Sequence, residues 1–557
     1  MKKIYKALSL ALATVVIGAS FVSVSACNKE NIISDGKTLN VRIYKAGYGD
    51  EYFTTWSRAF EDIYSEEGYK INVVESTTAV QATQVTDQLA MGDKNGIDLY
   101  LAGNAGTASL VSISKQEGFT IAEDITDSVM NAKPIGADGV EENITVLEKL
   151  KAGYDYLTLM NSADAADEPY NGKWFTMPVV SGAQSLIANT TLLESYGYSV
   201  PLTTNDLLTQ FNGIKNGTNG KQGSSETGVY PTCWAGGNAY RYWDCAYCVW
   251  FAQYSGRDGF YKYVNLDDVD LTSKGQITAL YEDKGLYSAL ELMETMMDLN
   301  NAPNGTATMT HGTAQHNLLS DKAVFMANGA WLQNEMSANY KEKASSVQMI
   351  AIPVVSELGV KLGLDGGDGS NKELCESVLK KIITMVDNNS STADIIAAVS
   401  SELHVTLTAD KVAEVKKARG LYYNGGVSIQ MCINPFSSVK DIAVKFLRFT
   451  ASDLGIRIFN QYANATSAYN PVSDLSLQST PFLDSVNALA NRDGAESVYI
   501  YGRPGSPRSR AGLNFMNATI YGAVDWMKTM ADQRGQMTAR DLLDEELKTV
   551  LKKLNLS

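Results

Sequence analysis

Only three histidines occur in this 557-residue sequence, so acid–base or nucleophilic catalysis has few groups to draw on. His311 and His316 stand five apart, not the four that would stack two ligands on one helix face, and both read as surface residues. No G-x-S-x-G or H-E-x-x-H occurs. Gly36-Lys37-Thr38 lacks the upstream glycine of a phosphate-binding loop, because Asn31 stands there. Cys245-Ala-Tyr-Cys248 has the spacing of a redox or zinc pair, but it lies within W-D-C-A-Y-C-V-W-F, an apolar run that reads as a buried helix. Asp267, Asp268 and Asp270 lack the glycine and terminal glutamate of a calcium loop, and read as a solvated turn. No metal and no cofactor is therefore expected. Two distant carboxylates working as a glycosidase pair need no local signature, so a surface glycosidase stays open as an alternative.

The abundant chemistry is aromatic: 29 tyrosines and 7 tryptophans. Sugar rings present C–H faces that stack on aromatic side chains, while Tyr and Trp keep a polar handle for the rim hydroxyls. Residues 230–254 (Y-P-T-C-W-A-G-G-N-A-Y-R-Y-W-D-C-A-Y-C-V-W-F-A-Q-Y) concentrate these groups. Trp234, beside two glycines that let a ligand approach the backbone, and Tyr240 are candidate ligand contacts. Tyr247 and Trp250 read as core.

The elements that must position these groups begin with a β-α-β-α-β pattern. Thr38–Tyr44 alternates as a first strand, Phe53, Trp56, Phe60 and Ile63 repeat at helical spacing, and strands follow at 71–74 and 96–101. That order implies a parallel sheet with helices on its faces, and ligands bind beyond the carboxyl ends of such strands. Tyr48 and Asn104 follow strands one and three and are candidate contacts. Residues 176–193 (T-M-P-V-V-S-G-A-Q-S-L-I-A-N-T-T-L-L) read as a strand that changes direction at Ser181 and Gly182, with Asn189 capping the helix that follows. A second α/β unit starts after it, so the stretch is expected to be a hinge with Ser181 and Gly182 close to a ligand. Residues 365–420 open with a flexible D-G-G-D-G-S-N and continue as helical patterns, a small helical insertion.

Met1–Lys6 carries three lysines, residues 7–26 carry no charge, and Val24-Ser25-Ala26 precedes Cys27. This reads as a secretory leader whose end resembles the bacterial lipobox, which implies acylation of Cys27 and a lipid-anchored mature N-terminus at the cell membrane, on its extracytoplasmic face. Losing Lys2, Lys3 and Lys6 with the leader takes the net charge from −15 to −18. So acidic a chain has no clustered cations for phosphates, and nucleic acid is excluded as a partner. Membrane contact is expected through the anchor alone.

Several segments resemble, in order, the maltose-binding-protein-like family of extracellular solute-binding lipoproteins of carbohydrate ABC importers. Residues 176–193 are similar to its interlobe crossover, with Ala188-Asn189 where Tyr-Asn is usual. Gly96-Ile-Asp-Leu-Tyr100 is similar to its third strand, and A-x-x-F-L-x-F at 443–449 to a later helix. D-K-A-V-F-M-A-N-G-A-W at 321–331 resembles its G-K-A-A-M-x-x-x-G-x-W, with Asp-Lys in place of Gly-Lys. By that resemblance Trp331 is a sugar platform standing clear of Gly329 and Ala330. Tyr423, Asn424 and Gly425 lie on a ligand-touching loop before a second crossing. The basic knot Y-G-R-P-G-S-P-R-S-R at 501–510 reads either as a solvated loop or as a third crossing in which Arg508 would bind sugar hydroxyls or a carboxylate. The resemblance implies a bilobal α/β fold joined by a multi-crossover hinge. The first lobe would comprise residues 38–180 with about 433–500. The second would comprise 183–430 with about 510–557, including the helical insertion at 368–420, and residues 27–37 would form a tether. It further implies a monomer that captures a sugar or oligosaccharide, closes by population shift, and delivers it to permease subunits. A lipoprotein for a non-sugar solute, or a sugar-sensing receptor component, stays open beside it.

Overall fold

The computed structural model describes residues 31–77, 82–103, 106–161, 165–237, 240–425, 429–475, 479–500, 502–513 and 538–556. Cys27 and Asn104 lie outside them. The chain opens as the sequence pattern requires, with β1 (Thr38–Tyr44), α1 (Glu51–Ile63), β2 (Lys70–Thr77), α2 (Ala82–Ala90), β3 (Leu99–Gly103) and α3 (Thr107–Glu117). β4 (Met177–Pro178), β5 (Val180–Ser181) and β6 (Ala183–Asn189) follow, and the Asn189 side chain caps the next helix by accepting from the Leu192 amide at 3.0 Å. The second half of the alternation comprises α4 (Thr204–Asn216), β7 (Tyr230–Thr232), α5 (Asp244–Asn265), α6 (Lys284–Met296), α7 (His311–Leu319), β8 (Ala323–Gly329), α8 (Leu332–Asn339) and β9 (Val347–Ile350). Next come α9 (Lys372–Asp387), α10 (Thr392–Leu403), α11 (Ala409–Gly420), β10 (Leu421–Asn424), β11 (Ile429–Ile433), α12 (Lys440–Thr450) and α13 (Asp453–Tyr462). The chain ends with β12 (Thr466–Ser467), α14 (Pro481–Ala490), β13 (Glu496–Val498) and α15 (Ala539–Lys553).

Among the described residues two large sheets result, each the centre of one lobe, and a third, two-stranded sheet pairs β12 with β5. The first has order β2-β1-β3-β11-β4, parallel at β2-β1-β3 and antiparallel at β11. β1 is buried along almost its whole length, as a central parallel strand covered on both faces must be. The apolar stripe of α1 packs Trp56 on Phe459 of α13, ring centroids 5.7 Å apart, and the Trp56 indole donates to the Gly455 carbonyl at 2.8 Å. The second sheet runs β13-β10-β6-β8-β7, with β9 also paired to β6. On its α5 side, Tyr247 and Trp250 are core residues, and the Trp250 indole donates to the Pro353 carbonyl at 3.1 Å. α9 to α11 form a three-helix appendage with its own apolar centre, including Val378, Leu379, Ile382, Val399 and Val412.

Among the described residues three segments run between the lobes, and the first bonds to both of the others. Val179 donates to the Ile429 carbonyl (3.1 Å), Gly425 to the Gly182 carbonyl (2.9 Å) and Ala468 to the Val179 carbonyl (2.9 Å), while β5 pairs with β12. The third crossing is thus at 466–468, not near residue 505. The reason is in the pairing: α14 packs on β9 and β13 pairs with β10, so residues 481–500 belong to the second lobe rather than the first.

Candidate functional site

The carboxyl ends of β1 and β8 meet at the boundary between the lobes. β1 runs into a short turn at Ala46–Tyr48, and β8 ends at Gly329, two residues before Trp331. The Trp331 indole folds back over Gly329, where a Cβ would lie 2.2 Å from the ring, so only glycine fits. Trp331 therefore does not stand clear of its own backbone, as the sequence suggested. It remains half-buried, 5.3 Å from the Tyr242 ring and edge-on to Tyr48 at 6.3 Å. From the first lobe, Gly47 closes against Trp331: a Cβ there would lie 2.9 Å from the Trp331 Cβ. Asn334 donates to the Gly47 carbonyl at 3.1 Å and accepts from Asn464 at 3.4 Å, so both lobes are hydrogen-bonded at this corner.

Tyr48 is buried there, and its hydroxyl has no hydrogen-bond partner among the described residues. Burial raises its pKa far above the phenol range, and burial also pushes Tyr242 up. One carboxylate belongs to the corner. Glu335, half-buried on α8, accepts from the Gln315 amide, and burial holds its carboxyl above the usual range despite that bond.

Behind the corner lies the hinge. The Tyr154 hydroxyl donates to the Val180 carbonyl at 2.8 Å and neighbours the Ser181 and Asn424 side chains. Ser181 and Asn424 are both buried, and Gly182 and Gly425 are joined through their backbones. Tyr423 is also buried and packs at a tilt against the Tyr499 ring, centroids 5.5 Å apart, which makes it second-lobe core rather than a loop contact.

Two expected contacts are buried inside the second lobe. Trp234 is 2% exposed and belongs to the core. The glycines beside it admit not a ligand but the 306–309 backbone: Gly236 donates to Thr306 (3.0 Å) and Gly237 to Met309 (2.9 Å). Arg508 is 2% exposed and lies inside the second lobe, over the Tyr263 ring at 5.1 Å and bonded to the Tyr263 carbonyl at 2.9 Å. The same loop sends Arg503 to the other lobe instead, where it donates to the Asn161 carbonyl at 2.6 Å while paired with Asp267 at 2.7 Å. Tyr240 begins the short turn before α5, and its side chain lies outside the described residues, as does all of Asn104.

Sequence reasoning missed Tyr154, Tyr242, Asn334 and Glu335. Tyr242 and Glu335 had a readable signal, since each lies within four residues of a candidate already chosen. Tyr154 had none, because it sits in an irregular stretch whose hinge contacts are all distant in sequence. Among the described residues no three His, Cys, Asp or Glu side chains gather as a metal site, and no helix is long and apolar enough to cross a membrane.

No protein-family model and no curated protein matches the sequence. Solved structures do match in fold. A chitin oligosaccharide binding protein superposes with a TM-score of 0.55 at 12% identity, covering 93% of this chain and 99% of that one. A probable secreted solute-binding lipoprotein from Streptomyces coelicolor gives 0.53 at 13%, covering 93% and 100%. The GacH receptor of Streptomyces glaucescens, solved unliganded and with acarbose, gives 0.51 at 15%, covering 93% and 98%. The bilobal α/β fold of this chain is that of extracellular solute-binding proteins.

Proposed function

We propose that this chain is a substrate-binding protein, not an enzyme, that captures a sugar or oligosaccharide between its lobes and delivers it to an ABC import permease. Cys27 would carry the lipid that holds it on the extracytoplasmic face of the cell membrane. The observation that carries the sugar reading is Trp331. It is a half-buried indole at the meeting of two lobes, flanked by Tyr48 and Tyr242, in a fold shared with binding proteins for chitin oligosaccharide and acarbose. An aromatic face with polar groups at its rim suits a pyranose, and a ligand touching both lobes favours the state in which they meet. Ser181, Gly182, Asn424 and Gly425 act in this reading as the hinge behind the ligand, and Tyr48 supplies a buried hydroxyl to it.

The test is intrinsic fluorescence and calorimetric titration against a panel of oligosaccharides, with recovery of the sugar afterwards. Saturable binding with the sugar returned unchanged is the expected result. Release of shortened sugar would replace the reading with a glycosidase, and binding of peptides or polyamines but no sugar would remove the carbohydrate assignment. Trp331→Ala is expected to lower affinity at least about tenfold, the worth of a lost aromatic contact of roughly 1.5 kcal/mol. Full affinity in that variant would refute the platform.

A further inference from the structure

Stacking on a neutral sugar does not require a carboxylate, yet the aromatic corner contains one. Glu335 stands four residues after Trp331 at the start of α8, so the two side chains leave the same helix face. One of its oxygens accepts from Gln315. The other lies 3.2 Å from the point a Gly47 Cβ would occupy, at the lobe boundary, and accepts no hydrogen bond among the described residues. No lysine or arginine among those residues pairs with Glu335. Lys45, the cation on the turn that faces it, is paired with Asp50 at 3.5 Å, Arg503 is held by Asp267, and Arg508 is buried elsewhere.

A half-buried carboxylate without a counter-charge is an unfavourable arrangement that a proton or a cation relieves. Its pKa is raised, in keeping with that, and burial is the main cause. The surrounding rings favour the same kind of ligand, because the faces of Trp331 and Tyr242 attract cations. The chain as a whole carries −15, which draws cationic solutes and repels anionic ones.

We infer that the site takes a sugar bearing a protonated amine, with Glu335 as its counter-charge beside Trp331, and rejects sugar acids. The inference rests on the sugar-binding reading above. It assigns to Glu335 the choice among sugars by charge, separate from the stacking that Trp331 provides to all of them.

Calorimetry with length-matched glucosamine, N-acetylglucosamine, glucose and glucuronate-containing oligomers, at about pH 5.5 where a 2-amino sugar is largely protonated, tests it. In the wild-type protein the glucosamine oligomer is expected to bind at least about tenfold tighter than its N-acetylated form, the worth of one charge-assisted hydrogen bond, and the glucuronate oligomer weakest of the four. In Glu335→Gln, whose thermal unfolding checks the fold, the ratio of amine to N-acetyl affinity is expected to fall toward one. Neutral oligomers binding as tightly as the amine in wild type would overturn the inference and leave the sugar reading standing. An amine preference that survives in Glu335→Gln would overturn the role of Glu335. No binding of any oligomer would overturn both readings.

Discussion

Gly47→Ala is a small change aimed at a place where the lobes touch closely. The added Cβ would lie 2.9 Å from the Trp331 Cβ, 3.1 Å from its Cγ and 3.2 Å from a Glu335 oxygen. Ordinary contact begins at 3.4 Å, so the lobes must part by about 0.5 Å there or Trp331 must yield. Trp331 Cβ is fixed to the backbone at the start of α8 and cannot rotate away. Gly47 lies outside the left-handed region, so alanine strains nothing within the first lobe. The penalty therefore falls on the docked arrangement alone. Overpacking of one carbon in a tight contact costs about 1–3 kcal/mol, and a ligand that needs the docked arrangement loses about 5- to 150-fold in affinity. Titration with a sugar found in the panel measures that loss. Thermal unfolding is expected to be unchanged, and small-angle scattering is expected to show a larger radius of gyration for the variant. Unchanged affinity together with unchanged scattering would refute the claim that the 46–48 to 331–335 contact belongs to the ligand-holding state.

Acid stability is expected to report on Asp453. Burial alone would raise its carboxyl, but the Lys149 ammonium at 2.8 Å, the Ser473 hydroxyl and the amides of Val472 and Ser473 hold it at about 2, below its ordinary 3.8. A depressed carboxyl stabilises the fold above about pH 4, and that contribution is lost as pH falls toward 2. Discounted for its partial exposure it is worth about 1 kcal/mol. Urea unfolding across that range should show a shallower acid slope in Asp453→Asn, and an identical slope would disprove the assignment. Cys27→Ser is expected to move the protein from the membrane fraction to the medium or periplasm and to abolish labelling by a fatty-acid probe. Retention on membranes with no label in either form would point to an uncleaved leader as the anchor.

Much of the fold was legible because it is written in local periodicity. β1 and the apolar stripe of α1 alternate or repeat as buried elements must, and Asn189 caps its helix as an asparagine before an apolar run does. Positions fixed by distant pairing were not legible. Residues 481–500 look like a continuation of the first lobe until β13 pairs with β10, a bond between segments about 75 residues apart. Trp234 has the company of a ligand platform, and nothing local says that the 306–309 backbone fills the space its glycines leave. Arg508 reads as a solvated loop residue or a ligand contact, yet the Tyr263 ring and carbonyl take it inside. The site behaved the same way: Trp331 followed from its local text, whereas Tyr154 needed the hinge to be assembled first.

The hinge and the aromatic corner are mechanically one element. β6 leaves the hinge at Ala183, and its second residue, Gln184, pairs with Gly329, two residues before Trp331. Ala330 donates to the Ala183 carbonyl at 3.1 Å, which ties the same loop to the first residue beyond the hinge. Trp331 is therefore tied to β6, and in the proposed reading residues 179–182 and their partners at 424–425, 429 and 466–468 are the ones that change for the corner to open. The first of these segments carries the backbone bonds to both of the others, so it is the common axis of the hinge. In the proposed reading, a ligand seated on Trp331 and touching Tyr48 spans the lobes a short distance from the pivot, where small rotations move the walls little. Such a placement favours tight selection of ring shape and charge over accommodation of bulk, because the walls near a pivot cannot part far without the whole lobe swinging.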